Sequence, residues 1–140
     1  MKATLLHLSI AVAMILQLPL SGVYASETTQ ATMKATTKAM LAEFKAAAAR
    51  PFSSEAGNAA WTRDSDGRSC TSCHTDSVLA PGRHVRTGKV IEPMAPSVNS
   101  QRLTDRKKIN KWFLRNCKWT FARECTAQEK GDILLWLSQQ

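Results

Sequence analysis

The sequence has only four cysteines, and their spacing excludes two common kinds of cysteine site. Cys70 and Cys73 form a pair, whereas Cys117 and Cys125 lie more than forty residues further along the chain. A structural zinc site needs a second pair of ligands at short range. A thioredoxin-like dithiol needs a βαβ setting, and no segment shows strand-like alternation. The C-x-x-C pair therefore requires another explanation.

The sequence also lacks an apolar run long enough to predict a membrane span. Segment 5–20 is mostly apolar, but polar residues and a proline interrupt it. Lys2 before this run and the small or tolerated residues Val23-Tyr24-Ala25 after it are typical of a signal peptide. We expect a signal peptide over 1–25, cleavage after Ala25 and export to the periplasm. An uncleaved anchor is the alternative.

The basic residues are not arranged for nucleic-acid binding. Lysine and arginine number 19 against 11 acidic residues, which gives a formal net charge of +8. They are spread along the chain without the interleaved aromatic side chains on which bases stack. We therefore expect no nucleic-acid partner, and we expect the positive charge to steer an acidic protein partner.

Cys70, Cys73 and His74 spell C-x-x-C-H, the attachment motif of c-type haem. Each thiol adds across one haem vinyl group, and the imidazole beside them becomes an iron ligand. We predict one covalent haem c with His74 as its proximal ligand. Export agrees with this, since c-type haem is attached outside the cytoplasm. In that compartment a bridge between Cys117 and Cys125 is the simplest interpretation, and two free thiols are the alternative.

The remaining patterns predict an all-α fold. Segment 28–50 contains no glycine or proline and reads as a helix ended by Pro51. A second helix begins at Ser53 or Ser54 and places Gly57 and Trp61 on one face. We divide the chain into a signal peptide (1–25), an N-terminal helix (26–50) and a haem domain (51–140).

Two further helices are predicted near the C-terminus. One has Thr104 as N-cap, carries a buried stripe through Ile109, Trp112 and Phe113, and ends near 115–117. The last begins with a T-x-x-E capping box at Thr126 and crosses the earlier helix at Gly57.

Segment 77–100 is punctuated by proline and glycine and is long for a loop in a compact domain. We expect it to wrap the haem. Arg86 and Lys89 lie in it and are our candidates for binding the haem propionates, with a solvated surface as the alternative.

The residue opposite His74 decides the function. Met94, between two prolines, would give a low-spin electron-transfer cytochrome, since methionine is the usual second ligand. His84 and Asn116 are the other candidates. An asparagine near the end of a helix is, however, commonly a C-terminal cap.

The G-x-x-x-aromatic pattern of Gly57 and Trp61 before C-x-x-C-H resembles class I cytochromes c. Region 86–140 in addition resembles the sphaeroides haem protein family, a group of small oxygen- and NO-binding cytochromes c. The residues that carry this resemblance are Arg86-Thr87-Gly88-Lys89, Ile91, Pro93, Ala95-Pro96-Ser97, Arg102, Thr104-Asp105, Lys111-Trp112, Arg115-Asn116-Cys117, Arg123, Cys125-Thr126, Glu129-Lys130, Asp132 and Trp136-Leu137.

The resemblance implies a class I cytochrome c fold around one covalent haem, here with an extra N-terminal helix. It implies that Asn116 is the sixth ligand, that Met94 is a packing residue, and that Cys117 and Cys125 form a disulfide. The amide would leave on reduction, so that O2, NO or CO binds, with NO and O2 redox chemistry as an open option. The implied electron donor is a dihaem or other c-type cytochrome, membrane-bound forms included, and we expect a monomer.

Overall fold

The computed structural model describes residues 21–140, with side chains from Ser26 onward, so most of the expected signal peptide (1–25) lies outside the described residues. The elements are α1 (Ser21–Lys45), α2 (Ser54–Thr62), α3 (Thr71–His74), β1 (Gly82–Arg83), β2 (Val90–Ile91), α4 (Arg106–Phe121) and α5 (Ala127–Leu137). The strands β1 and β2 pair antiparallel, with Gly82 opposite Ile91. No helix within 21–140 is long and apolar enough to cross a membrane.

Helices α2 and α5 cross at Gly57, as predicted. A Cβ atom on Gly57 would lie 2.1 Å from the carbonyl oxygen of Asp132 and 2.7 Å from Cβ of Trp136. On the α5 side, a Cβ on Gly131 would lie 2.1 Å from the Phe52 ring. Glycine is therefore required at both positions, because the Asp132 backbone and the Phe52 ring lie too close to leave room for a side chain.

Asp132 fastens the chain before α2 to α5. Its carboxylate is buried and accepts hydrogen bonds from Ser53 N (2.7 Å), Gln128 Nε2 (3.0 Å) and Arg50 Nη2 (2.9 Å). A buried carboxylate is tolerated when its oxygens are paired in this way. At the N-terminus of α5, the predicted capping box between Thr126 and Glu129 is confirmed.

Helix α1 packs its methionines into the core rather than presenting them to a site. Met33, Met40 and Phe44 are buried in the same cluster as Leu134 of α5. We expected this helix to continue to residue 50, but it ends at Lys45. Residues 46–48 instead form a tighter turn of i→i+3 hydrogen bonds before Pro51.

Helix α1 also contacts α4 and the chain that leads into it. The rings of Phe44 and Phe113 meet edge to face, with 6.2 Å between centroids. Thr36 Oγ1 donates to Thr104 O at 3.2 Å, and Arg106 of α4 forms an ion pair with Glu43. The N-terminal helix is thus part of the packed molecule.

Segment 77–100 folds back on the C-x-x-C-H motif. A Cβ on Gly82 would lie 2.1 Å from Cys73 O, so β1 passes directly over the motif's backbone. Further along, the N–H groups of Met94 and Ala95 both donate to Val78 O, at 2.9 and 3.0 Å. The short β1–β2 pair was not predicted, because two-residue strands are too short to show alternation.

Candidate haem site

The C-x-x-C-H motif forms a single helical turn, α3. His74 N donates to Cys70 O at 3.1 Å, and Cys73 N donates to the same oxygen at 3.3 Å. Positions i, i+3 and i+4 of a turn share one face, so Cys70, Cys73 and His74 are brought together. Both cysteines are free thiols and half-buried. This is the set of groups that covalent attachment of haem c needs.

The local environment keeps His74 neutral. Burial, with a smaller contribution from the charge of Arg102, lowers the pKa of the imidazole to about 4. A neutral imidazole has a free nitrogen lone pair at neutral pH, which is the form that ligates iron. Burial also raises the pKa of the Cys70 thiol to about 11, although the neighbouring Thr120 hydroxyl acts in the opposite direction.

Asn116 lies inside α4 rather than at its end. The helix begins after Asp105, whose side chain accepts from Lys108 N, and it ends at Phe121 with Ala122 as its left-handed C-cap. The prediction of Thr104 as N-cap and of an end near 115–117 is therefore wrong. The interpretation of Asn116 as a C-terminal cap is wrong for the same reason. Its side chain is exposed.

Asn116 shares a face of α4 with Trp112 and Thr120, one turn away on either side. Thr120 is buried and contacts Cys70. Trp112 is 47% exposed, so the prediction that it belongs to a buried stripe is wrong. Trp112, Asn116 and Thr120 therefore form one stripe along α4, and Thr120 at its end contacts the attachment cysteine Cys70. Other large apolar side chains that are exposed include Leu79, Val85, Val90, Val98 and Leu114.

Trp61 offers a polar atom that the described chain does not satisfy. Its ring is 5% exposed and lies 5.1 Å from the His74 ring and 5.5 Å from the Trp136 ring, centroid to centroid. The buried Nε1 donates no hydrogen bond to any residue within the part of the chain that the structure describes. Buried donors are rarely left unpaired. A group that is not part of the polypeptide, bound beside His74, would explain the unpaired Nε1 of Trp61. The residues present therefore fit a haem.

A disulfide joins Cys117 of α4 to Cys125, with 5.4 Å between their Cα atoms. Next to it, Glu129 accepts two hydrogen bonds from Arg123 (2.7 and 2.8 Å) and one from Arg63 (2.8 Å). These bonds, with Arg123 contributing most, lower the pKa of Glu129 to about 2. The end of α4 that follows Asn116 is therefore tied to the start of α5.

The other predicted site residues are not gathered at the motif in the same way. Met94 is half-buried and packs against the core. His84 Nδ1 accepts from Arg86 N (3.3 Å) and Thr87 N (3.2 Å), so its ring closes a local turn. Arg86 and Lys89 are exposed in the β1–β2 connection.

Two residues near the motif were not identified by sequence reasoning. Thr120 contacts Cys70. Its position four residues after Asn116, on the same helix face, is the sequence pattern that could have identified it. Arg102 is half-buried, and its Nε donates to Pro93 O at 2.8 Å. No periodicity marks Arg102, because it lies in an irregular segment.

Comparisons with known proteins give one family and two groups of relatives. The family model described as "Domain of unknown function (DUF1924)" matches residues 47–137. The cytochrome c-type protein SHP of Cereibacter sphaeroides is 41% identical over 106 residues, covering 72% of this chain and 81% of that protein. A structure of oxidised SHP, described as an oxygen-binding cytochrome c, superposes with a TM-score of 0.70 and 39% identity, covering 74% of this chain and 96% of that one.

The second relative is cytochrome c'' of Methylophilus methylotrophus. It is 37% identical over 68 residues, which is 49% of this chain and 47% of that protein. The crystal structure of its oxidised form superposes with a TM-score of 0.60 at 24% identity, covering 82% of this chain and 96% of that one. This second structure supports the similarity of the fold.

Proposed function

The chain belongs to the family of the cytochrome c-type protein SHP, has its all-α cytochrome c fold and carries one covalent haem c, and we propose that Asn116 gates a gas-binding position on the haem iron. With haem attached, His74 would be the permanent iron ligand and Asn116 the ligand of the ferric state that leaves on reduction. The position it leaves would accept a diatomic ligand (O2, NO or CO). The similarity to SHP, an oxygen-binding cytochrome c, supports the gas ligand.

The observation that carries the proposal is the position of Asn116 on α4. Its amide is exposed between Trp112 and Thr120, on the stripe whose next turn contacts Cys70. No helix-capping role accounts for it, since α4 continues to Phe121. A polar side chain on this stripe therefore faces the region where the haem is attached.

The chemistry of the amide suits a ligand that must leave. An amide is a neutral, weak donor, so it holds ferric iron but competes poorly for ferrous iron. The disulfide of the next residue, Cys117, keeps the helix backbone in place while the side chain moves. The iron supplies the electron transfer and the affinity for the gas. The chain supplies one permanent ligand, His74, and one that is easily displaced.

The alternative is a low-spin electron carrier with His74 and Met94 as ligands. The contacts of Met94 argue against it. Its backbone is bonded to Val78 O at 2.9 Å, four residues after His74, and its side chain packs against the core. Both features support a packing role for Met94, which is the role that the resemblance to SHP implies.

Absorption spectra of two variants separate the two functions. Asn116→Ala should convert the ferric protein from six-coordinate to five-coordinate or water-ligated, with a shifted Soret band, whereas Met94→Leu should leave the spectrum unchanged. Asn110→Ala is the matched control, since Asn110 is an exposed asparagine on another face of the same helix. Loss of a methionine–iron charge-transfer band in Met94→Leu, with an unchanged spectrum in Asn116→Ala, would refute the gas-site proposal.

We further propose that residues 1–25 are a cleaved signal peptide, that 26–50 is an N-terminal helical segment ahead of the haem domain 51–140, and that the protein works in the periplasm. The donor would be an acidic c-type cytochrome, because the chain without residues 1–25 loses only Lys2 and keeps 18 basic against 11 acidic residues, a formal net charge of +7. The rate of reduction by such a donor should fall as ionic strength rises. A rate that does not depend on salt would contradict electrostatic docking.

A further inference from the structure

Arg102 is a half-buried cation that donates no hydrogen bond to a carboxylate among residues 26–140. Its Nε donates to Pro93 O at 2.8 Å and its Nη2 donates to Glu92 O at 2.6 Å. Both acceptors are neutral backbone carbonyls. The remaining nitrogen, Nη1, donates to no residue within the described part of the chain. The charge of Glu92 acts on Arg102 from a distance, but no carboxylate within the described residues forms an ion pair with it. A half-buried guanidinium without such a pair favours a further anion.

The backbone to which Arg102 is bonded lies beside the haem attachment motif. Met94 and Ala95, directly after Pro93, donate to Val78 O, and Val78 follows His74 by four residues. The charge of Arg102 also contributes to the lowered pKa of His74, so the guanidinium is within electrostatic reach of the imidazole. Arg102 therefore lies near the iron ligand.

The two carbonyl bonds also hold the guanidinium in one orientation. Two of its three nitrogens are fixed, so the third can accept a carboxylate with little further loss of side-chain freedom. Arg86 and Lys89, by contrast, are exposed in the β1–β2 connection, and neither side chain is held by another described residue. An exposed ion pair contributes little, because water screens the charges and the side chains must be ordered.

We propose that Arg102, rather than Arg86 or Lys89, is the residue that binds a haem propionate. The propionates are the carboxylates that a covalently attached haem brings to this site, and a guanidinium donates charge-assisted hydrogen bonds to such groups. The inference depends on the covalent haem and is independent of the proposal for Asn116. Its failure would leave the gas-binding position untouched.

The test compares purified holoprotein variants by resonance Raman spectroscopy and redox titration. Arg102→Gln should shift the propionate bending band and lower the reduction potential, because the lost positive charge had favoured the ferrous state. Arg102→Lys retains the positive charge but loses the planar set of guanidinium donors. It should therefore keep most of the reduction potential and still shift the propionate bending band. Arg86→Gln and Lys89→Gln are the matched controls and should change neither quantity.

An unshifted band in both Arg102 variants would overturn the proposal, as would a band that shifts in Arg86→Gln or Lys89→Gln instead. Where Arg102→Gln does not yield folded holoprotein, the Raman band of Arg102→Lys decides the question alone. CO binding by the ferrous variants reports separately on the sixth position. It should persist in every Arg102 variant that retains haem.

Discussion

Replacing Gly57 by alanine tests the close crossing of α2 and α5 that holds Trp61 against His74. The new Cβ would lie 2.1 Å from Asp132 O, whereas ordinary contact begins at 3.4 Å, so α5 must move by 3.4 − 2.1, or about 1.3 Å. That movement overpacks the crossing, at a cost of roughly 1–3 kcal/mol. It also strains the hydrogen bond from Ser53 N to Asp132, which adds about 1 kcal/mol. We expect the free energy of unfolding to fall by roughly 2–4 kcal/mol.

The assay is equilibrium unfolding of the oxidised holoprotein in guanidinium chloride, followed by tryptophan fluorescence and the Soret band. The midpoint should fall while the slope with denaturant stays near the wild-type value. Gly67→Ala is the matched control, because Gly67 has φ +73° and nothing within 4 Å of an added Cβ. It should lose only the roughly 1–2 kcal/mol of left-handed backbone strain. A Gly57→Ala midpoint equal to that of the wild type would refute the crossing as described.

Two further predictions concern the end of α4 and the start of α5. Replacing Cys117 and Cys125 together by alanine should lower the free energy of unfolding by roughly 2–3 kcal/mol, because the bridge closes a short loop; thermal unfolding measures this, and an unchanged Tm would contradict it. Glu129→Gln should destabilise the protein at pH 7, since the carboxylate pairs with Arg123 and Arg63. The folded pKa of Glu129 is lowered from 4.5 to about 2, so its contribution is present above pH 4.5 and disappears as the pH falls towards 2. Unfolding across this range should show the wild type and the variant converging, and a constant difference would rule this out.

The features that could be predicted from sequence are those that depend on residues close together along the chain. Covalent attachment of haem follows from five consecutive residues, because the thiols and the imidazole must lie within one turn. The capping box at Thr126 depends on a spacing of three residues. The crossing at Gly57 follows from one glycine placed a turn before Trp61. In each case the chemistry acts between near neighbours, so the spacing alone is informative.

The features that were missed depend on contacts between distant segments. The end of α4 was placed too early, because Asn116 and Cys117 resemble a helix terminus when the packing of Thr120 against Cys70 is not known. Arg102 donates hydrogen bonds to carbonyl groups nine and ten residues earlier, and an irregular segment has no period that would reveal this. The assignment of Arg86 and Lys89 to the haem propionates stays a prediction, because charge alone does not indicate how firmly a side chain is held.

Reaction of the ferrous protein with CO is the most direct test of a sixth position that opens on reduction. The dithionite-reduced wild-type protein should show a broad high-spin visible band and should convert on mixing with CO to a sharp low-spin spectrum. A reduced protein that already shows sharp low-spin bands, and that does not react with CO, would contradict the account and leave a simple electron carrier.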